Sequence, residues 1–338
     1  FLALVKSNTL SEALSFGMIW RGMARIIAAR IRMHLPVNHN KSNVAHHYDL
    51  SAKLFDLFLD EDWQYSCAYF NPPGISLYEA QVAKKRHIAA KLMTEPGQSV
   101  LEIGSGWGGM AMYIAESAGA DVTGITLSEE QLRVSRDRAA KRGLAGNVRF
   151  ELQDYRYLPA SRKFDRIVSV GMFEHVGVHH YDEFFKKLNA LMPDDGLAVL
   201  HSIGHMSPPG MASSWLRKYI FPGAYSPALS EVFEVVERNS LWVSDLEFLR
   251  VHYATTLAHW GARFDANRDK VIALYDERFA RMWEFYLISA EMMFRTGSQL
   301  VFHMQLSRSR DAAPIVRDYI TDRQRDYMAR EQALALHL

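Results

Sequence analysis

Residues Val100–Gly109 read Val-Leu-Glu-Ile-Gly-Ser-Gly-Trp-Gly-Gly, an apolar strand followed at once by four glycines within six positions. Glycine lets a backbone turn sharply and approach a ligand without a Cβ in between. The following residues, 110–117, have a helical pattern, so the positive end of a helix dipole should lie beside the loop. The stretch therefore predicts a strand–turn–helix unit that binds a nucleotide-like cofactor.

The spacing of the glycines separates three kinds of nucleotide site. A dinucleotide fingerprint expects an acidic residue about 20 positions on, but counting from Gly104 leads to residues 124–128, which contain no carboxylate. A Walker phosphate loop needs Gly-Lys-Ser/Thr, and no lysine occurs between Lys91 and Lys141. The pattern Glu-x-Gly-x-Gly-x-Gly from Glu102 instead resembles motif I of class I S-adenosylmethionine-dependent methyltransferases, whose loop holds an amino acid carboxylate and a ribose. A tight strand–helix turn without a ligand is the alternative for this loop taken alone.

Composition and charge exclude several classes of protein. The chain has 338 residues, of which 49% are hydrophobic and 12% aromatic, as is typical of a globular protein with a sizeable core. With 39 basic and 38 acidic residues the net charge is +1, so there is no global sign of nucleic-acid binding. The single cysteine, Cys67, excludes an internal disulfide and a multi-cysteine zinc site. The sequence contains no run of 18 apolar residues that would predict a transmembrane segment. It also contains no histidine spacing that would predict a metal site.

Strand-like and helical segments alternate from about residue 99 to 204, as expected for a parallel sheet. The predicted strands are Ser99–Gly104, Asp121–Thr126, Val148–Asp154, Phe164–Gly171 and Leu197–Ile203, and the predicted helices are Gly109–Ala118, Glu129–Arg142 and Tyr181–Leu191. Later in the chain, Gln299–Ser307 alternates apolar and polar residues and predicts a half-exposed strand, with Trp242–Arg250 as its partner. These elements predict the α/β fold of the class I methyltransferases, a seven-stranded Rossmann-like sheet with helices on both faces. An insertion at about 205–245 is expected to form a helical substrate cap over the carboxyl ends of the strands.

The first 40 residues have a different character. If residues 20–35 are helical, Arg21, Arg25 and Arg32 share one side and apolar side chains share another. Such a basic amphipathic helix could lie on an anionic membrane surface, or it could pack on its own domain with solvated arginines. We therefore predict a short N-terminal unit at 1–40 and a catalytic domain at 41–338.

Further motifs follow one another along the chain in a diagnostic order. They are His46-His47-Tyr48-Asp49, Tyr65-Ser66-Cys67-Ala68-Tyr69-Phe70, the glycine loop, Gly171-Met172-Phe173-Glu174-His175-Val176-Gly177 and His201-Ser202-Ile203-Gly204. The series resembles the cyclopropane-fatty-acyl-phospholipid synthase family, which includes the mycolic acid cyclopropane synthases, from about Lys41 to Arg308. Bacterial members usually carry a longer N-terminal domain, of which residues 1–40 would be the end. Such relatives can be dimers, so the resemblance leaves a homodimer open.

The resemblance implies a reaction between S-adenosylmethionine and an isolated cis alkene. Because the alkene is a poor nucleophile, the methyl donor must be a strong electrophile, and methyl transfer leaves a carbocation. The cation must be shielded from water, and a base must remove a proton from the new methyl group so that the ring can close. Aromatic faces can stabilise a cation while excluding water. Tyr65, Tyr69, Phe70, Phe173, Tyr225 and Tyr253 are the candidates, although aromatic residues are more often plain core.

The base in this family is thought to be a bound bicarbonate ion. The family motifs place Cys67, Glu174, His201, Ile203 and Tyr253 at the bicarbonate site, with Ile203 contributing backbone groups and Glu174 orienting the anion by accepting its O–H. They place Tyr65, Ser66, Glu102, Gly104, Gly106, Thr126, Leu127, Gln131, Asp154 and Tyr155 around S-adenosylmethionine. Taken singly, the first group also has structural explanations. Cys67 could be a small buried hydrophobe, Glu174 a helix cap, His201 a core histidine and Tyr253 a packing residue.

The sequence therefore predicts an enzyme that converts cis-unsaturated acyl chains of membrane phospholipids to cyclopropane acyl chains. It would work in the cytoplasm, peripherally associated with the inner face of the membrane. One alternative is a relative that produces methyl- or methylene-branched chains. Another is an N-methyltransferase of the coclaurine type, which shares the Tyr-Ser-Cys and Phe-Glu-His motifs but has no need for His201 and Tyr253. A third is a catalytically silent, lipid-associated protein that binds S-adenosylmethionine.

Overall fold

A computed structural model describes residues 52–210 and 213–333, and these residues fold around one mixed sheet. The strands of these residues are β1 Ser99–Ile103, β2 Asp121–Thr126, β3 Val148–Leu152, β4 Arg166–Val170, β5 Leu197–His205, β6 Trp242–Phe248 and β7 Gln299–Ser307. Their order is β3-β2-β1-β4-β5-β7-β6. The first five strands are parallel, and β7 pairs antiparallel with both β5 and β6. The predicted seven-stranded sheet is confirmed, and the proposed helix at 20–35 lies outside the described residues.

The helices alternate with the strands and then form a separate layer. They are α1 Ala52–Asp56, α2 Leu77–Leu92, α3 Gly109–Ala118, α4 Glu129–Lys141, α5 Tyr181–Leu191, α6 Ser214–Tyr219, α7 Leu229–Arg238, α8 His252–Ala266, α9 Arg268–Leu274, α10 Glu277–Thr296 and α11 Asp318–Ala333. Side chains of consecutive strand residues point to opposite faces, so Val100 packs with α2, α3 and α11 while Leu101 packs with α5 and α7. Helices therefore cover both faces of the sheet, as predicted.

Strand β7 corrects one prediction. Its alternating pattern indicated a half-exposed strand, but both of its faces are buried, and His303, Gln305 and Ser307 are completely inaccessible. The reason is its position, since β7 lies between β5 and β6 and helices cover the sheet. The polar face of β7 is satisfied internally, because Gln305 Oε1 accepts hydrogen bonds from Ser244 and Tyr319.

A helical layer closes the carboxyl ends of the central strands. The range 205–245 contributes α6, whereas α7 packs against the sheet beside α5. A second helical segment, α8 to α10, is inserted between β6 and β7 and packs with α1 in a core cluster of its own. None of the helices in the described ranges is long and apolar enough to span a bilayer.

Candidate active site

A cavity of about 110 Å³ opens at the carboxyl ends of β4 and β5. Its wall includes all five residues predicted for the bicarbonate site, together with Tyr65 and Ser66 from the first cofactor motif: Tyr65, Ser66, Cys67, Glu174, His201, Ile203 and Tyr253. Besides the cationic Arg217, the helical layer and the segment after α6 contribute mainly apolar lining residues: Leu216, Phe221, Leu257, Ala290, Met293 and Phe294. Residues that are far apart in the sequence therefore meet in one apolar pocket, which we call the acyl cavity.

Glu174 is the acidic group of this cavity. It lies on a short 3₁₀ turn after β4, and its Oε1 accepts a hydrogen bond of 2.6 Å from the backbone N–H of Ile203. Its Oε2 is buried and has no hydrogen-bond partner among the described residues. Burial raises the pKa of Glu174 to about 7. The backbone N–H of Ile203 thus holds Glu174, and the second carboxyl oxygen is left for a ligand.

His201 reaches the cavity from β5 and is held from behind by a second histidine. Its Nδ1 lies 2.7 Å from Nε2 of His303 on β7. Burial and the nearby charges of Lys84 and Lys91 lower the pKa of His201 well below its ordinary value, so the ring is neutral. A neutral imidazole fixed at one nitrogen can accept or donate a proton at the other.

Cys67 and Tyr253 complete the wall without a charge. Cys67 is fully buried, its Sγ donates to the carbonyl of Ala68, and burial raises the pKa of the thiol well above its usual range. It is therefore a neutral, non-nucleophilic thiol. Tyr253 packs edge-on against Trp260 and lies 4.7 Å from the ring of Phe294. The Tyr65 hydroxyl meets the Tyr286 hydroxyl at 3.1 Å.

Only two of the six aromatic residues proposed to shield a cation line the acyl cavity, Tyr65 and Tyr253. Tyr69 is stacked between His87 and His252, and Phe70 stacks on His252 and His259. Phe173 stacks on Tyr181 in the sheet core, and the Tyr225 hydroxyl donates to Glu231. The prediction was wrong for these four because a motif shows proximity in sequence and not the direction of a side chain. The aromatic rings of Phe221 and Phe294, which were not predicted, also line the cavity.

The glycine loop after β1 combines tight packing with an open side. Gly104 has φ +83°, and a Cβ there would lie 2.7 Å from the Cβ of Met172. A Cβ on Gly109 would lie 2.1 Å from Gln64 Nε2. Gly106 also has a positive φ, +50°, but no heavy atom lies within 4 Å of its ideal Cβ among the described residues. The loop is therefore fixed on its inner side and bare on the side where a ligand can approach.

Glu102 lies in β1 immediately before this loop and is almost completely buried. Its Oε2 has no hydrogen-bond partner among the described residues, and burial raises its pKa to about 8. An unpartnered buried carboxyl oxygen is costly unless a donor or a cation satisfies it. The chemistry of this residue fits a cationic or N–H-bearing ligand group.

The remaining predicted cofactor residues lie at the ends of β2 and β3. Thr126 donates to Gln131 Oε1 at 2.8 Å and accepts from the backbone N–H of Ser128, while Leu127 between them is half-buried. The Asp154 carboxylate accepts hydrogen bonds from both the backbone and the guanidinium of Arg156. Tyr155 packs edge-on against Phe184. These residues lie on adjacent strand ends, and the pairing of Asp154 with Arg156 was not anticipated.

Three residues of the site were missed by sequence reasoning. Lys84 is fully buried, and its ammonium donates to Gln64 Oε1 at 2.6 Å and to Ser66 Oγ at 2.7 Å, with burial lowering its pKa to about 8. Tyr286 meets Tyr65, and His303 meets His201. The polar face of Gln299–Ser307 was a usable signal for His303, whereas nothing local distinguishes Lys84 from an exposed helix lysine.

The sequence also matches known families. Residues 37–304 match the family described as mycolic acid cyclopropane synthetase. The chain is 39% identical over 262 residues to the cyclopropane-fatty-acyl-phospholipid synthase of Escherichia coli K12, covering 78% of this chain and 66% of that protein. It is also 39% identical over 259 residues to a probable fatty acid methyltransferase of Pseudomonas putida, covering 75% and 66%. The chain thus spans slightly less than two thirds of the length of these relatives.

Solved structures agree with the fold. The mycolic acid cyclopropane synthase CmaA1, complexed with SAH and CTAB, has a TM-score of 0.74 and 35% identity, covering 79% of this chain and 97% of that chain. The cyclopropane synthase MmaA2 from Mycobacterium tuberculosis has a TM-score of 0.75 at 29% identity, with the same coverage. A coclaurine N-methyltransferase at 21% identity, TM-score 0.69, shares the fold.

Proposed function

Since this chain belongs to the mycolic acid cyclopropane synthetase family, we propose that it transfers a methylene group from S-adenosylmethionine to the cis double bond of an unsaturated phospholipid acyl chain, forming a cyclopropane. The observation that carries the proposal is the acyl cavity, in which Glu174, His201 and Tyr253 line one apolar pocket beside Tyr65 and Ser66. Such a pocket suits an uncharged hydrocarbon chain, and its few polar groups suit a proton transfer.

The residues of the glycine loop fit S-adenosylmethionine. The open side of Gly106 leaves room for the amino acid part, and the unpartnered Oε2 of Glu102 suits an ammonium group. Thr126 and Gln131 would meet the ribose, and Asp154 with Tyr155 would meet the adenine. When bound, this cosubstrate supplies an electrophilic methyl group on sulfur.

The protein's own side chains would position the alkene and protect it from water. Tyr65 and Tyr253 offer aromatic faces within the cavity, and each such face can stabilise a cation by about 0.5–2 kcal/mol. Leu257, Ala290 and Met293 line the apolar wall and would exclude water. The neutral thiol of Cys67 adds no nucleophile that could trap the cation.

We extend the proposal to bicarbonate as the base. Glu174 Oε2 is unpartnered and could accept the O–H of that anion, and His201, whose Nδ1 faces His303, lines the same cavity. The buried ammonium of Lys84, which is bound to Ser66 beside Cys67, favours an anion nearby. Enzyme assayed in carbonate-free buffer should lose activity that added bicarbonate restores. Full activity without bicarbonate would remove it from the proposal.

We also propose that the enzyme works peripherally on the inner face of the membrane, in the cytoplasm. An exposed surface that we call the apolar rim, formed by Trp215, Tyr219, Phe285 and Ile288, supports this, since Tyr219, Phe285 and Ile288 are 42%, 49% and 48% exposed. Arg278 and Arg281 line a surface depression together with Trp215, Tyr219, Phe285 and the acidic Asp276, and Lys218 Nζ lies 4.9 Å from the centre of the Tyr219 ring. The same two helices, α6 and α10, line the acyl cavity with Leu216 and Ala290.

An apolar rim with cationic side chains beside it matches an anionic bilayer surface. Phe285→Ala and Arg281→Glu should therefore each weaken cosedimentation with anionic vesicles. High salt should also weaken cosedimentation of the native chain. Unchanged binding of both variants would place the membrane contact elsewhere.

Homodimerisation is the remaining part of the proposal, and light scattering of the full chain separates a dimer from a monomer.

The test of the function is incubation with phospholipid vesicles and S-adenosylmethionine, followed by measurement of released S-adenosylhomocysteine. Unsaturated vesicles should support turnover and fully saturated vesicles should not. Turnover with a small amine in place of lipid would contradict the proposal and favour the coclaurine type. If the protein does not bind S-adenosylmethionine at all, every methyltransferase hypothesis is contradicted.

A second candidate is a fatty acid C-methyltransferase that leaves a methyl or methylene branch. It is favoured by the probable fatty acid methyltransferase from Pseudomonas putida, which is as similar, at 39% identity, as the cyclopropane synthase. Both reactions begin with the same methyl transfer and differ in which proton is lost. The structure of the product, and not the consumption of cofactor, separates them.

A further inference from the structure

A row of titratable side chains runs across the sheet from the acyl cavity to its edge. His201 on β5 is the direct partner of His303 on β7, and His303 is the direct partner of Glu247 on β6. Directly paired residues on neighbouring strands project from the same face of a sheet. Since β6 is the outer strand, the row begins at the cavity and ends at the rim of the fold.

A third histidine joins the outer part of this row. His87 projects from α2, its ring centre is 5.6 Å from that of His303, and its Nε2 lies 2.6 Å from Glu247 Oε2. His201, His303 and His87 are almost fully buried, whereas the side chain of Glu247 is 23% exposed. Together with the 2.7 Å contact between His201 and His303, this gives hydrogen-bonded pairs at both ends of the row.

The middle of the row contains two buried nitrogens in need of a partner. Nδ1 of His303 and Nδ1 of His87 both lack a hydrogen bond among the described residues. Nitrogen atoms of these rings and an oxygen of Glu247 lie within 4.8 Å of one another. The ring centres of His303 and His87 are 5.6 Å apart, so one water molecule between the rings could satisfy both nitrogens.

The charges around the row favour a path for protons over a metal site. Lys91 is fully buried, and its ammonium lies 2.7 Å from Glu247 Oε2 and 2.7 Å from Asp245 Oδ2. A second cation on the same carboxylate would be repelled. Burial and the charges of neighbouring groups, including Lys84 and Lys91, lower the pKa of His201 and His303, which keeps these rings neutral. Burial alone would raise the pKa of Glu247, but the contacts with His87 and Lys91 lower it. Glu247 is therefore an ionised acceptor.

We propose that His201, His303, His87 and Glu247 form an exit path for the proton released in each turnover. The inference rests on the proposed function, in which ring closure breaks a C–H bond of the transferred methyl group and its electron pair forms the new C–C bond. The base in the cavity receives that proton and must lose it before the next turnover.

Each step of the path moves one proton and returns the ring that passed it on to its starting charge. Nε2 of His201 takes the proton while its Nδ1–H passes to Nε2 of His303. The Nδ1–H of His303 passes through the bridging water to Nδ1 of His87, whose Nε2–H passes to Glu247. From the edge of the sheet the proton enters solvent, and reorientation of the water and the ring tautomers prepares the next cycle.

The experiment compares the first turnover with later ones in His303→Gln. Glutamine can keep a hydrogen bond but cannot take a proton at one atom and release it at another. The base can accept the first proton without the path, so the variant should release one S-adenosylhomocysteine per active site at the native rate. Later turnovers should then be at least about tenfold slower, and high concentrations of imidazole buffer should restore them partly.

Two further variants keep the test independent of folding. His87→Gln lies nearer the edge and should give the same burst followed by slow turnover. His259→Gln is the matched control, because His259 stacks on Phe70 outside the row, and its turnover should be native. Nitrogen-15 NMR of the free protein should give neutral rings for His201 and His303, with the proton on Nδ1 in both.

Several results would overturn the path. A first turnover slowed as much as the later ones would mean that His303 only positions His201. Native steady-state rates in both His303→Gln and His87→Gln would also contradict it. So would a metal ion that the native protein binds in stoichiometric amount and these variants do not. If the native enzyme forms no cyclopropane lipid, product analysis identifies the failure as one of the proposed function, and the path falls with it.

Discussion

The glycine loop and the acyl cavity are built in opposite ways. The loop is defined by backbone, since Gly104 and Gly106 have positive φ angles and Gly109 has no space for a Cβ. The cavity is defined by side chains from β5, α8 and α10 that meet only after the chain has folded. A backbone-defined site leaves its signature in consecutive residues. A cavity made of distant side chains leaves only scattered motifs, so substitutions should affect the two regions in separable ways.

Glu174→Gln should give the largest difference between the effect on turnover and the effect on cofactor affinity. The amide replaces the carboxyl oxygen that is free in the cavity, so turnover should fall by roughly 10²-fold or more, the usual contribution of a positioned acid–base group. Affinity for S-adenosylmethionine should stay within about twofold because the glycine loop is untouched. Calorimetric titration and steady-state kinetics measure the two quantities. Glu234→Gln is the control, since that carboxylate is exposed beside Arg238. If Glu174→Gln lost cofactor binding together with turnover, the assigned role of Glu174 would be wrong.

A cavity-filling substitution should act on the lipid alone. Ala290→Phe places a ring in the apolar wall, and overfilling a packed site costs about 1–3 kcal/mol. We expect kcat/KM for vesicle lipid to fall roughly ten- to a hundredfold, with unchanged cofactor affinity. A larger effect on cofactor affinity than on lipid turnover would mean that the cavity and the loop are not separate sites.

The loop side is tested by a matched pair of glycines. Gly106 and Gly143 both have a positive φ and no heavy atom within 4 Å of an ideal Cβ among the described residues. Alanine should therefore cost each site about 1–2 kcal/mol of folding free energy through the left-handed backbone. Only Gly106→Ala should also weaken S-adenosylmethionine binding, by about tenfold, or roughly 1.4 kcal/mol. Equal cofactor affinity of the two variants would move the ligand away from the open side of Gly106.

The same contrast explains what the sequence could predict. All seven strands and the helices between β1 and β5 follow from apolar periodicity and glycine turns, and their ends agree within about two residues. Seven residues of the cavity wall, among them Glu174, His201 and Tyr253, followed from the ordered motifs and the family resemblance, whereas its apolar wall did not. Side-chain directions did not: Phe173 and Tyr225 point into other contacts. Lys84 and Tyr286 could not be found, because a buried lysine and a core tyrosine depend on tertiary packing that no local pattern encodes.

A separate prediction concerns stability against pH. Burial raises the pKa of Glu102 from the ordinary 4.5 to about 8 in the folded chain. The unfolded chain therefore releases this proton at a lower pH than the folded chain, and stability falls as pH rises from about 5 to 8. Glu102→Gln, which mimics the neutral form, should flatten that part of the Tm profile. An identical slope in the variant and the native protein would mean that Glu102 is ionised in the folded state.

The fate of a labelled methyl group shows whether the two regions together turn an alkene into a cyclopropane. Vesicles of cis-unsaturated phospholipid are incubated with S-adenosylmethionine carrying a trideuterated methyl group, and the acyl chains are analysed by mass spectrometry and NMR. We expect acyl chains that have gained a CD₂ group in a three-membered ring and have lost the double bond. Chains that keep a double bond or carry an intact CD₃ branch would contradict this expectation, as would lipid that stays unlabelled while cofactor is consumed.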